Sequence, residues 1–129
     1  MKFSLSTKLM ATKLIIACAI TASTTSAFSH IVLENKSAVP GTAYKAVFLV
    51  SHGCAGAPTT AIAVQIPAAF QGAKPYPKAG WALAVVRSKL AAPQDSHGKP
   101  ITEDVTLVTW TAIGNDSALQ EAYADEFNV

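Results

Sequence analysis

Short runs of β-branched and aromatic residues, each ended by proline or glycine, are the feature that most limits what this chain can fold into. They follow one another from residue 30 onward, and the breaks between them contain pairs such as Pro40-Gly41. Runs of this length and punctuation are typical of strands joined by turns. The predicted strands are residues 30–34, 42–50, 59–67, 81–90 and 101–113.

The segments between these runs are predicted to be irregular. Residues 51–58, 71–80 and 91–100 are interpreted as loops, and residues 116–124 as one or two helical turns. Short strands at this spacing predict an all-β, immunoglobulin-like β-sandwich. Residues 125–129 resemble a strand that has only begun, and an unpaired terminal strand invites aggregation. We therefore expect the domain to lack its C-terminal part.

The first 29 residues have a different pattern. Lys2 and Lys8 precede a mostly apolar stretch at residues 9–20, and small residues follow up to Ser29. A basic start, a short apolar stretch and a small-residue exit are typical of a cleavable signal peptide. The apolar stretch falls short of the roughly 20 residues that span a bilayer. The sequence thus predicts a signal peptide at 1–29, one domain at 30–129 and a periplasmic or secreted protein.

The cleavage site determines which residue becomes the N-terminus. Signal peptidases prefer small residues at the last and third-last positions. Ala27-Phe28-Ser29 satisfies this preference and frees His30. Thr25-Ser26-Ala27 satisfies it less well, because threonine is bulkier, and frees Phe28. Cleavage after Ser29 is favoured, and cleavage after Ala27 remains an alternative.

Removal of the leader changes both the charge and the cysteine content. The full chain has a formal charge of +2, but three of its lysines lie in the leader, which contains no acid. The mature part then carries seven basic and eight acidic residues, a net charge of −1. This balance gives no indication of nucleic-acid binding. Cys18 leaves with the leader, so Cys54 has no partner in the mature part.

Several short motifs, in order along the chain, resemble one known family. They begin at His30-Ile31-Val32-Leu33-Glu34 and continue through Pro40-Gly41-Thr42, Ser51-His52-Gly53-Cys54, Pro77-Lys78-Ala79-Gly80-Trp81, Asp95-Ser96-His97-Gly98 and Val108-Thr109-Trp110. In order and spacing, the mature chain resembles the bacterial YcnI-like copper-binding domain over essentially its whole length.

This resemblance implies a site and a function. YcnI-like proteins are exported immunoglobulin-like sandwiches that bind copper(II) through the first mature residue. That residue is a histidine that chelates the metal with its α-amino group and its ring, a single-histidine brace, and His30 occupies its position. Relatives continue for several strands, which carry another cysteine and a tryptophan near the metal. The resemblance therefore implies a disulfide partner for Cys54 beyond Val129.

The chemistry of an N-terminal histidine supports the same site. Proteolysis turns the backbone nitrogen of His30 into an amine, and α-amines have an ordinary pKa of about 7.7–8.0. The amine and Nδ1 can then close a six-membered chelate ring on one ion. Nitrogen ligands in tetragonal geometry suit Cu(II). The second cut also yields a copper-capable terminus, because histidine in third position binds Cu(II) or Ni(II) together with the amine and two amides.

Further ligands are predicted from chain position. Glu34 is close in sequence, but four residues of straight strand span roughly 13 Å, so it could join His30 only through a bend or a second chain. If successive strands alternate in direction, the loop carrying His52 and Cys54 lies at the His30 end. The same alternation predicts His97 at that end and Trp110 at the far end. The candidate ligands are His30, His52 and Glu34, and both tryptophans are interpreted as core residues.

The predicted function is an exported copper(II)-binding protein that stores copper or hands it on. Its expected partners are the copper ion and other periplasmic copper-handling proteins, with the membrane contacted only through membrane-bound partners. The alternative is a non-metal interaction or adhesion module, since β-sandwiches serve many binding roles. No serine-histidine-acid set, phosphate loop or paired-carboxylate motif stands out, so an enzyme is not expected. An oxygen-activating copper enzyme would need a second histidine held close to the first.

Overall fold

The computed structural model describes residues 30–51, 53 and 56–129, and over these the protein is built of strands. The predicted signal peptide, His52 and Cys54 lie outside the described residues. One 3-10 turn, Asn115–Ser117, overlaps only the start of the segment 116–124 that was predicted to be helical, and residues 118–124 are not helical. The strands are β1 (Ile31–Leu33), β2 (Val47–Val50), β3 (Ala61–Gln65), β4 (Trp81–Ser96), β5 (Lys99–Ala112) and β6 (Asp125–Asn128). The all-β prediction is confirmed, and the described part contains no helix able to cross a membrane.

The strands form two antiparallel sheets of three strands each, with the orders β1-β2-β6 and β3-β5-β4. In the first sheet, Ile31 lies opposite Val50, and Val50 lies opposite Asp125. In the second sheet, Thr109 lies between Ala63 of β3 and Ala84 of β4. Two packed sheets of this kind confirm the predicted β-sandwich.

The core between the sheets is built around three aromatic rings. Trp110 is fully buried and Phe127 is nearly so, with the two ring centres 5.6 Å apart. Trp81 meets Phe127 edge-on, with the ring centres 4.9 Å apart. The Trp110 indole N–H donates a hydrogen bond to the Tyr76 carbonyl (2.9 Å), which satisfies its polar atom. Both tryptophans are core residues, as predicted.

The connection between β3 and β4 crosses the molecule from one end to the other. The Tyr76 N–H donates to the Asn128 carbonyl (2.9 Å), and Lys78 Nζ donates to the Glu126 carbonyl (3.1 Å). Residues 76–78 therefore run antiparallel to β6 along its outer edge. Because this segment acts as an additional crossing, β3 and β4 both begin at the end of the sandwich where His30 lies.

Residues 91–100, predicted to be a loop, form the distal part of a long β-hairpin instead. β4 and β5 stay paired up to Ser96 and Lys99, with register shifts after Val86 and after Lys89. His97 and Gly98 make the turn, with φ values of 54° and 77°. Positive φ at both positions is typical of the two-residue turns that join paired strands. The Gly98 N–H also donates to Asp95 Oδ1 (3.0 Å).

The end of the sandwich opposite His30 opens into a groove. The groove encloses about 1360 Å³ and is lined mainly by residues 38–46, 64–67 and 69–77. Asp104, which is 7% exposed, holds the 69–77 segment against β5. One carboxylate oxygen of Asp104 accepts the Gly72 N–H (2.8 Å), and the other accepts the Val105 N–H (2.7 Å).

Candidate metal site at His30

His30 directly precedes β1, the edge strand of its sheet, and is exposed. The pairing of Ile31 with Val50 places Ser51, the first residue after β2, next to His30 across the sheet. Side chains alternate between the two faces of a strand, so His30 shares the outer, solvent-facing surface with Val32. The histidine is therefore accessible from the sheet edge and from its outer face.

The loop that carries His52 and Cys54 begins beside His30. Gly53 in this loop is buried, and a Cβ built on it would lie 1.9 Å from the Ala57 carbonyl oxygen. Only glycine fits here, because the backbones of residues 53 and 57 lie in direct contact. The loop begins at the His30 end, as predicted, since β2 ends opposite Ile31. The structure gives no position for His52 or Cys54, so His52 as a ligand stays a prediction.

Glu34 lies just past the other end of β1. Its backbone N–H donates to the Val47 carbonyl (3.0 Å), and the chain bends at Glu34 itself, after the three extended residues of β1. Because β1 is extended, it separates His30 from Glu34 by roughly 10–13 Å. Within one chain, the structure therefore does not bring Glu34 to His30. A ligand role for Glu34 would require a second molecule.

Two carboxylates of β6 lie on the same sheet as His30 but at a distance. Glu126 occupies the exposed row formed by Val32 and Leu49, which places it two strands from β1, roughly 10 Å across the sheet. Asp125 is engaged by Lys78, whose Nζ lies 2.6 Å from Asp125 Oδ1. Across residues 30–51, 53 and 56–129, no three His, Cys, Asp or Glu side chains are grouped to hold a metal.

Glu121 is a neighbour of the loop that the sequence did not indicate. A Cβ built on Gly56 would lie 3.0 Å from Glu121 Oε2, so this carboxylate packs against the loop backbone. The segment is brought there by reciprocal backbone hydrogen bonds between Thr59 and Leu119 (2.8 and 3.0 Å). Residues 113–124 have no strand periodicity, so only the folded chain reveals this approach.

His97 lies at the end opposite to that predicted. It is at the tip of the β4–β5 hairpin, the end of the sandwich away from His30. The prediction was wrong because it counted strand directions without the crossing at residues 71–80. Trp110 lies in the middle of the core, against Phe127 and the Tyr76 carbonyl. The three mature histidines do not gather at one end.

Comparison with known protein families identifies the family to which the chain belongs. A family model described as "Domain of unknown function (DUF1775)" matches residues 30–129. The chain belongs to the DUF1775 family. The predicted resemblance to YcnI-like domains is thereby supported at the level of the domain. No curated protein and no solved structure matches the chain.

The DUF1775 match begins at His30. In the described part of this domain, the two histidines lie at opposite ends of the sandwich, and His30 is the one beside the loop of residues 51–58. An imidazole at an exposed strand edge can coordinate a metal ion without displacing any core side chain. If the chain is cleaved before His30, the α-amine adds a second nitrogen from the same residue.

Proposed function

We propose that this DUF1775 protein is exported and binds Cu(II) through His30, which signal-peptide cleavage would make the first residue of the mature chain. The observation that carries the proposal is that the family domain starts at His30. The predicted signal-peptide cleavage site ends at Ser29, so the cleavage site and the start of the family domain coincide at the bond between Ser29 and His30. A free amine and an imidazole on one residue supply the nitrogen ligands that Cu(II) prefers.

The position of His30 suits a protein that stores copper or hands it on. An ion held by the two nitrogens of His30 leaves coordination positions open to water, to the neighbouring loop or to another protein. His52 is the proposed additional ligand, because its loop starts beside His30. Glu34 would contribute only from a second molecule. We propose binding without catalytic turnover, since no catalytic motif stands out in the sequence.

The first experiment locates the mature N-terminus. Mass spectrometry of the protein recovered from the periplasm or the medium should give a chain that starts at His30. A start at Phe28 would move the proposal to the alternative site, in which histidine is third from the amine. A start at Thr42 or later would remove the proposed ligand altogether and overturn the brace.

The second experiment tests the ligand. Cu(II) titration of the processed protein should show a site that His30→Ala weakens by at least about 100-fold, because removal of the ring leaves the amine as a single ligand. His97→Asn is the matched control, since it removes an exposed imidazole at the opposite end and its affinity should be unchanged. Equal affinity of His30→Ala and the unsubstituted protein would favour the interaction module instead. Turnover with a reductant and oxygen would favour a copper enzyme.

A further inference from the structure

The groove at the end of the sandwich opposite His30 exposes apolar side chains that the proposed copper site does not use. Its floor is formed by Phe48, Val64 and Ile66, which are half-buried because their other sides pack on the core. Val39 and Phe70, which also line it, are 69% and 44% exposed. Apolar surface gathered in one concave region, rather than scattered singly, is typical of a ligand-binding groove.

The two loop segments that line most of the groove contact each other twice. The rings of Tyr44 and Phe70 have their centres 5.8 Å apart. Lys45 Nζ lies 5.2 Å from the centre of the Tyr76 ring. The second segment is also tied to β5 through the carboxylate of Asp104. These contacts give the groove its shape before any ligand binds, as is usual for small-molecule sites.

The charged side chains that line the groove are both lysines, Lys45 and Lys74. Neither forms an ion pair with any other residue that the structure describes. Glu34 and Asp104 lie nearby but do not line the groove, and both carboxylate oxygens of Asp104 already accept N–H groups. Between Glu34 and Asp95 the sequence has no acidic residue. The groove is therefore complementary in charge to a ligand that carries an anionic group.

Backbone groups at two positions of the groove are used within the protein. The N–H and C=O of Ala46 are both bonded to Val129 (2.9 and 3.0 Å). The N–H of Tyr76 is bonded to Asn128, and its C=O accepts the Trp110 indole N–H. A peptide that binds as an added strand needs free backbone groups. The groove offers apolar side chains and two ammonium groups at these places instead, which suits an aliphatic chain with an anionic head.

We propose that this groove binds a free long-chain fatty acid, with its chain along the apolar floor and its carboxylate at Lys45 and Lys74. Lys45 lies over the ring of Tyr76, two residues after Lys74, so both ammonium groups belong to the same part of the groove. The groove volume of about 1360 Å³ exceeds the roughly 300–1,000 Å³ of ordinary small-molecule pockets, which favours an extended ligand. Burial of the chain supplies affinity, and the lysines orient the head.

Calorimetric titration of the processed protein with laurate, kept below the concentration at which it forms micelles, tests the site. Binding should be saturable. Lys45→Gln and Lys74→Gln should each weaken it at least about twofold, because each removes a charge that attracts the carboxylate. Octanoate, whose chain has four fewer methylene groups, should bind at least about tenfold more weakly than laurate. Dodecanol has the laurate chain without the charge, so both substitutions should leave its affinity unchanged.

The matched control is Lys99→Gln, because Lys99 is an exposed lysine on the β4–β5 hairpin and does not line the groove. It should bind laurate as the unsubstituted protein does. His30→Ala should do the same, so the outcome does not depend on copper binding. Absence of laurate binding, or equal weakening by Lys45→Gln and Lys99→Gln, would overturn the proposal. So would binding to phosphatidylglycerol vesicles without binding to laurate, which would indicate a membrane surface.

Discussion

Lys78 Nζ lies 2.6 Å from Asp125 Oδ1, and this ion pair joins the segment that precedes β4 to the first residue of β6. The same ammonium group donates to the Glu126 carbonyl and lies 4.9 Å from the centre of the Phe127 ring. One lysine thus fixes residues 71–80 against β6. This attachment keeps the starts of β3 and β4 at the His30 end of the sandwich.

Removal of this attachment should destabilise the fold. We expect Lys78→Ala to lower the free energy of unfolding by about 1–2 kcal/mol, from a partly exposed ion pair and a cation–π contact. Urea denaturation followed by tryptophan fluorescence measures it. Lys74→Ala, an exposed lysine in the same segment, should change the free energy by less than about 0.5 kcal/mol. Equal effects of the two substitutions would show that Lys78 does not hold the segment.

The Asp104 carboxylate should matter more than an ordinary surface acid. Asp104→Ala leaves the N–H groups of Gly72 and Val105 without their acceptor; Val105 is buried, whereas Gly72 is exposed and its N–H can bind water instead. An unpaired buried donor costs about 1–3 kcal/mol, so we expect a loss of that size for Asp104→Ala and a smaller loss for Asp104→Asn, which keeps one oxygen acceptor. Urea denaturation of both variants measures the difference. Identical losses would mean that side-chain volume, not the acceptor oxygens, is important here.

The hairpin turn offers a stabilising substitution. His97 has a φ of 54°, a conformation that asparagine adopts more readily than histidine. His97→Asn creates an Asn-Gly turn and should raise the free energy of unfolding by about 0.5 kcal/mol. Gly98→Ala should lower it by about 1 kcal/mol, because φ is 77° there. Thermal melts of both variants check the signs, and a destabilised His97→Asn would contradict the turn geometry.

Copper should stabilise the processed protein by mass action. If Cu(II) binds the folded state alone, free metal at 100 times the Kd adds about 2.7 kcal/mol to the free energy of unfolding. The Tm should therefore rise with added Cu(II) in the unsubstituted protein and much less in His30→Ala.

Selective acetylation of the α-amine tests the other half of the proposed chelate. It leaves the ring of His30 in place but removes the second nitrogen, so the Tm should no longer rise with Cu(II). A persistent rise after acetylation would show that copper binds without the N-terminal amine.

Most of the strands could be predicted from the sequence because their signals are local. The alternation of Ile62 and Val64 with small residues places one face of β3 toward the core, and the structure agrees. The two tryptophans were predicted to be buried, and Trp110 is fully so. Apolar periodicity and turn residues are patterns within a few consecutive residues, so they can be recognised in the sequence without knowledge of the fold.

The hairpin and the direction of the strands could not be predicted in this way. The distal hairpin lies largely outside the core, and residues 91–100, which form it, have no apolar alternation. The crossing at residues 71–80 is held by Tyr76 and Lys78 against β6, a strand about fifty residues later in the chain. An error in this one connection placed His97 at the wrong end in the prediction.

The residues of the candidate site also fall into two groups, those that could be predicted from the sequence and those that could not. His30 was predicted from the cleavage pattern and from the chemistry of a terminal histidine, and the family domain begins at that residue. The approach of Glu121 to Gly56 depends on the pairing of Thr59 with Leu119, which no local pattern indicates. A candidate ligand such as His30 can be predicted from its own position and chemistry. A contact between residues far apart in the sequence, such as Glu121 with Gly56, can be found only from the folded structure.

The pairing of β2 with β6 also determines when the domain can fold. β1 and β2 appear early during synthesis, but Val47 and Val50 wait for Asn128 and Asp125, about eighty residues later. Contacts this distant in sequence form slowly. Until the chain reaches Asp125, one edge of β2 lies open and Trp110 lacks the Phe127 ring. The domain therefore cannot complete its core before β6 has been synthesised.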